Sequence, residues 1–229
     1  MAKSAEGGFL NSITDLMTSL FVVFVLLLIA FINRSYAETR EKSLTVRESL
    51  IKELNASGIL ATVDPKDPLM LLIIVREKDL QFDYNKSNLK PKGQEYLMKF
   101  IPSLSAVLTR PQFDREVQSI VIEGHTDSNG NDEHNLRLSQ DRSFEVLRFA
   151  LNGCHVSELQ RNLFLDKVSV NGRGERDLLS NKNLDDEAWK AQCRRVEFKI
   201  RLRGFEQRSA NKNSIEPKPL KSEKIENDT

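Results

Sequence analysis

The sequence predicts an α+β protein: one N-terminal transmembrane helix, then a domain ordered β-α-β-α-β-β with a mixed sheet and helices on one face. Three observations predict it. Residues 9–32 form a run of 24 residues, mostly apolar, about 36 Å long as a helix against a hydrocarbon core of roughly 30 Å. Runs with strand character recur at 69–76, 118–123, 166–171 and 195–202. Between them, 91–108 and 133–151 carry helical spacing.

The composition bounds the class. The chain has 229 residues, with 34 Lys+Arg against 33 Asp+Glu and a formal net charge of +1. That balance excludes the broad basic field of a nucleic-acid binder. Hydrophobic residues make up 39% and charged ones 29%, which allows one modest core and excludes an all-membrane protein. Cys154 and Cys193 are too few for a disulfide scaffold or a Cys-rich zinc site, and leave a single disulfide open.

The 9–32 run reads as an uncleaved anchor. Only Lys3 precedes it as a basic residue, the apolar part is long, and Ala30-Phe31-Ile32-Asn33 is a poor cleavage site. Asp15 needs a reason, because a carboxylate at mid-membrane costs about 2.5–3.5 kcal/mol. Asn11, Asp15 and Thr18 share one helix face at i, i+4 and i+7, flanked by Thr14 and Ser19. A polar stripe of this kind faces another helix or a watery path. Two readings stay open: a carboxylate that carries a proton or sodium ion, or a helix-start residue in the headgroup layer. Lys3 on one side against Arg34, Arg40 and Lys42 on the other puts the C-terminal side in the cytoplasm by charge count.

Residues 33–60 are polar and helical at first, with a partial apolar stripe at Leu44, Leu50, Ile51 and Leu54. A short parallel coiled coil, a partner-facing segment and a solvated spacer all fit. Asp64-Pro65-Lys66-Asp67-Pro68 breaks the helix, and the folded domain starts near Leu69. The first strand, 69–76, extends through 79–82 after a kink. The helix at 91–108 turns Leu97, Ile101, Leu104 and Leu108 inward; that at 133–151 turns Leu138, Phe144, Leu147 and Leu151 inward. A short helix follows at 156–162, and 195–202 alternates as a half-buried last strand. The polar end from 204 onward, with Pro217 and Pro219, reads as a disordered tail.

One polar constellation stands out. A strand ends in Glu123-Gly124-His125-Thr126-Asp127, and the next helix carries Asn135, Ser139 and Arg142 on one face. A carboxylate and a guanidinium held close together suit a zwitterion: Arg grips a carboxylate, Asp accepts from an ammonium. A plain loop-to-helix salt bridge between Asp127 and Arg142 is the simpler alternative. Catalysis is not expected. His125 and Asp127 lack further ligands at metal spacing, His134 and His155 are isolated, and no nucleophile elbow is present. Glu123 and Asp127 would work as a hydrolytic pair only across a cleft. No catalytic residue, metal or cofactor is assigned.

Gly124-His125-Thr126-Asp127, Asn135, Leu138-Ser139 and Arg142 resemble the signature of the OmpA-like peptidoglycan-binding domain. Residues 81–89, the turn Gly172-Arg173-Gly174-Glu175 and the run Arg194-Arg195-Val196-Glu197-Phe198 resemble its other motifs. The likeness covers 69–203; Cys193 departs from it, standing where the family usually has Asn. The resemblance implies non-catalytic binding of the diaminopimelate-bearing stem peptide. Asp127 and Arg142 would hold its ammonium and carboxylate, Thr126 and Asn135 would line the site, and Asn85 and Arg194 fall at contact positions. It also implies a periplasmic domain and a cytoplasmic N-terminus, against the charge count. The span with Asp15-Leu16-Met17-Thr18 resembles the B subunits of ion-driven stator units, of the flagellar MotB and the Zorya anti-phage kinds. Such subunits are homodimers within a ring of five multi-span A subunits, MotA- or ZorA-like, in the inner membrane. The short stretch before the domain and the lack of a basic N-terminal tail lean toward the Zorya kind. A flagellar-type stator and a passive membrane-to-wall anchor are the alternatives. The expected organisation is a cytoplasmic tail at 1–8, the span at 9–32, a partly helical periplasmic linker at 33–68, the domain at 69–203 and the tail at 204–229.

Overall fold

The computed structural model describes residues 2–83, 85–178 and 186–204; the tail expected at 204–229 lies outside them from residue 205. Helix α1 (Ala2–Ala56) is continuous for 55 residues. It contains a stretch of mean hydropathy 2.6, long and apolar enough to cross a membrane. Its two halves differ. Leu16, Leu20, Phe24 and Leu27 are exposed, whereas Leu50 and Leu54 are fully buried in the core of the following domain. The stripe at Leu50 and Leu54 therefore packs on its own chain. It is neither a solvated spacer nor a coiled-coil seam, because the adjoining sheet and helix offer the apolar surface.

Strands β1 (Ala61–Asp64) and β2 (Asp67–Arg76) form a hairpin directly after α1. Asp64 and Asp67 fix the turn by accepting from the backbone N–H of Lys66 and Leu69 at 2.8 and 2.9 Å. The sheet thus begins before Leu69, at a strand too short and polar to show periodicity. Next come α2 (Glu77–Leu80), α3 (Pro91–Leu108) and α4 (Pro111–Asp114). Then β3 (Val117–His125), α5 (Asp132–Asn152), α6 (Glu158–Lys167), β4 (Val168–Gly172), α7 (Asp186–Cys193) and β5 (Arg195–Leu202) complete the described chain. The five strands lie in the order β1-β2-β5-β3-β4, with β3 and β4 parallel and the other neighbours antiparallel. The mixed α+β architecture is the one the sequence predicts.

Local chemistry sets the helix starts. Pro91 stands in the first turn of α3, where its missing N–H is no loss. Asn131 caps α5 by accepting from the His134 N–H at 2.8 Å, with Asp132 and Glu133 in the first turn. Ser157 and Gln160 form a capping box on α6.

Leu97, Ile101, Leu104 and Leu108 of α3 are fully buried against Val196, Phe198 and Ile200 in one core. Helix α5 departs from expectation. Phe144 is 55% exposed, while Leu138, Leu147 and Leu151 are only half-buried. Its buried face is Asn135, Ser139, Arg142, Ser143, Val146 and Ala150. Two glycines explain this. A Cβ on Gly124 would stand 2.1 Å from the Ser139 carbonyl oxygen, and one on Gly172 2.5 Å from the Gln140 amide. The helix lies so close on β3 and β4 that only small or end-projecting side chains fit beneath it.

The first strand does not continue through 79–82. The chain turns through α2, passes Gln81 at φ 45°, and forms a single bridge between Phe82 and Leu89. Cys154 and Cys193 are both buried and free, so no disulfide joins them.

Candidate functional site

The C-terminal ends of β3 and the start of β5 face the N-terminal half of α5 across a cleft of about 540 Å³. Asn85, Thr126, Asp127, Asn135, Arg142 and Arg194 all line it. Glu77, His134 and Glu187 line it too, and sequence reasoning assigned them no part in a site. The only signal for Glu77 is its place directly after a strand, at the edge where β3 also ends.

Asp127 is fixed by its own loop. One oxygen accepts from the Asn129 backbone N–H at 3.0 Å, and the other accepts from Arg194 Nη1 at 2.5 Å. Arg194 reaches it because the antiparallel register pairs His125 with Arg195, so the flanking residues of β3 and β5 meet. Arg194 Nε also donates to the Glu77 carboxylate. Arg142 lies with its guanidinium 4.9 Å over the Phe82 ring, donates from Nε to the Lys86 carbonyl at 3.1 Å, and stands 3.9 Å from Glu77. The direct partner of Asp127 is thus Arg194, and Glu77 sits between both arginines. Among the described residues Asp127 and Arg142 form no ion pair of their own, because the Lys86 carbonyl and the Phe82 ring hold Arg142 toward α2.

Burial pulls the Arg142 guanidinium below its ordinary value, against the attraction of Glu77. Burial acts the same way on Arg194, but hydrogen bonds to Glu77 and Asp127 outweigh it and raise that guanidinium. Both remain cations.

The remaining polar groups divide into held and free. Asn135 donates to Glu175 at 3.0 Å, and His134 Nε2 lies 2.7 Å from Asn85 Oδ1. Ser139 does not line the cleft; its hydroxyl accepts from the Gly174 N–H at 2.9 Å and holds the 172–175 turn under α5. The Thr126 hydroxyl is buried with no hydrogen-bond partner among the described residues. An orphan hydroxyl in a polar cleft is a position where a ligand adds a bond at little cost.

His125 and Asp127 point to different places. His125 is buried on the sheet face away from α5, with Nε2 3.3 Å from Glu123 and 3.6 Å from Glu197. These three ligand atoms lie within 4.8 Å of one another. Lys199 pairs with Glu123, and Arg195 Nε lies 2.6 Å from Glu197, so the two carboxylates are already neutralised. The trio is the centre of a buried ion network. Burial raises the Glu123 carboxyl, but the adjacent His125 ring and the hydrogen-bonded Lys199 ammonium outweigh this and hold it at about 2. Glu197 is held below the usual carboxylate range, because the nearby His125 ring and the hydrogen-bonded Arg195 guanidinium outweigh its burial. Glu197 escapes a local reading because it comes from β5.

In α1, the Thr18 and Ser19 hydroxyls donate to the carbonyls of Thr14 and Leu16 at 2.7 and 2.9 Å. Asp15 stands well inside this helix, which begins at Ala2, and not at its start. The side chain of Asn11 lies outside the described residues.

The OmpA family model matches residues 81–192. Over these residues the chain is similar to that family. Outer membrane protein A of Serratia marcescens is 30% identical over 134 residues, 55% of this chain and 33% of that protein. The protein of that name from Citrobacter freundii is 29% identical over 153 residues, 64% of this chain and 58% of that one. The chain therefore spans between a third and three fifths of these curated relatives. Among solved structures, a putative MotB-like protein from Desulfovibrio vulgaris is 25% identical, with a TM-score of 0.50. That match covers 74% of this chain and 97% of the other.

Proposed function

We propose that this chain is the B subunit of an ion-driven rotary stator, anchored to peptidoglycan by its OmpA-family domain. One N-terminal apolar helix ahead of such a domain fits a single-pass membrane anchor. The observation that carries the wall-binding part is the cleft itself. It gathers Asp127, Arg142 and Arg194 with an unpartnered Thr126 hydroxyl at the strand ends. In this reading the diaminopimelate ammonium lies against Asp127 and its carboxylate against Arg142. Thr126 and Asn135 take the remaining polar atoms, and Asn85 and Arg194 close the rim. The role is recognition and not bond cleavage.

The stator part rests on Asp15 in the span and on the MotB-like neighbour. The span lies in the inner membrane with its N-terminus cytoplasmic and the domain periplasmic. Two copies pair inside a ring of five multi-span A subunits, and Asp15 hands protons or sodium ions through. Each unit charge crossing releases about 2.3 kcal/mol per 100 mV, enough to repopulate a conformational state. We favour an anti-phage motor of the Zorya kind over a flagellar one, because the stretch between span and domain is short.

The test is purification from native membranes in mild detergent, with the mass of the complex measured. A multi-span partner in excess, with Asp15→Asn abolishing ion flow in an intact assembly, is the expected result. A bare homodimer that binds wall fragments, with Asp15→Asn silent, would reduce the protein to a passive tether.

A further inference from the structure

Beside the cleft lies a second cavity of about 480 Å³, and the two share a wall made of Glu77 and Arg194. The second cavity is walled by Arg76, Lys78, Lys90 and Arg194 against a single carboxylate, Glu77. Glu77 is already committed: its carboxylate takes Arg194 and faces Arg142. Among the described residues Arg76, Lys78 and Lys90 form no ion pair. Three uncompensated cations therefore converge on a concave surface contiguous with the cleft. Like charges gathered this way repel one another, and an anion between them relieves that cost.

We infer that this groove is a second subsite, which takes a carboxylate from the residue next to the one gripped in the cleft. The inference rests on the peptide-binding reading of the cleft and deepens it. Glu77 is the divider. It keeps the two guanidiniums oriented, and its charge makes the cleft side favour an ammonium while the groove side keeps its positive excess. A ligand with one zwitterionic end and a neighbouring carboxylate matches both halves. A ligand lacking the second carboxylate uses only the cleft.

The experiment uses the full chain in detergent and three probes. They are free diaminopimelate, a dipeptide of diaminopimelate whose neighbouring residue ends in a free carboxylate, and the same dipeptide amidated there. Calorimetric titration is expected to give the acid about fivefold tighter binding than the amide at low salt, the gain of two weak exposed pairs. The double variant Lys78→Gln/Lys90→Gln is expected to bring that ratio to one and to leave free diaminopimelate binding unchanged. Both lysines are exposed, so the fold tolerates the change. Equal binding of acid and amide by the wild type, with diaminopimelate still bound, would overturn the second subsite alone. A ratio that survives in the double variant would also overturn it. Failure of all three probes to bind would overturn the cleft reading, and the subsite with it.

Discussion

Helices α3 and α5 lie on the same side of the sheet, yet they bury opposite chemistries. The inner face of α3 is Leu97, Phe100, Ile101, Leu104 and Leu108. The inner face of α5 is Asn135, Ser139, Arg142, Ser143, Val146 and Ala150. The first helix fills a volume. The second comes close to two glycines, so its serines bond locally and its long polar side chains run out along the helix end into the cleft. Buried polarity on α5 is therefore a positioning device, and buried apolarity on α3 is the stability that supports it.

The comparison breaks most sharply at α3. Leu104→Ala is expected to cost about 4 kcal/mol in urea unfolding, from lost transfer energy and the cavity left behind. Ligand affinity of the folded fraction stays unchanged. Should affinity fall instead, α3 is more than a support.

The sheet face away from both helices tests a third way of burying charge. The folded Glu123 carboxyl sits at about 2, below its ordinary value near 4.5. A depressed carboxyl stabilises fully above the unfolded value and loses that contribution as pH falls through the folded one. The wild type is thus expected to lose about 3 kcal/mol from this group between about pH 5 and pH 2. Glu123→Gln should flatten that limb of the acid titration followed by circular dichroism.

Gly124→Ala probes the close approach of α5 and should cost about 2 kcal/mol by thermal melting, because a backbone carbonyl has to give way. The loss should be larger than for Ala in place of Ser128, which is exposed. Asp127→Asn addresses the polar face alone. It keeps the loop shape, removes the charge, and should weaken diaminopimelate binding by about 2 kcal/mol, roughly thirtyfold. A tenth as much would leave Asp127 a structural partner of Arg194. The smallest effect belongs to the tie between α1 and the end of α3. Arg110 and Glu53 stand 2.5 Å apart but are both near 40% exposed, so Arg110→Ala should cost under about 1 kcal/mol.

The sequence alone determined the long apolar stretch of α1, the helix at 91–108, the main strands and six of the residues that line the cleft. These follow from signals that operate over a few residues: an apolar run, a helical stripe, alternation, and a polar loop after a strand. It placed Leu147 and Leu151 against the core but misplaced Phe144 and missed the small polar face of α5, because periodicity counts apolar residues and cannot see two glycines on other strands. It also left residues 50 and 54 outside the domain, because no pattern in a helix says which surface will cover it. Only the tertiary structure decided that Asp127 meets Arg194, 67 positions away, and that Glu77 meets the same arginine from 117 positions away. Those pairings come from strand register: β5 lies antiparallel between β2 and β3, so residues at the start of β5, after β2 and after β3 are brought to one edge. A local sequence pattern carries the chemistry of each side chain, and register between distant strands decides which of them face each other.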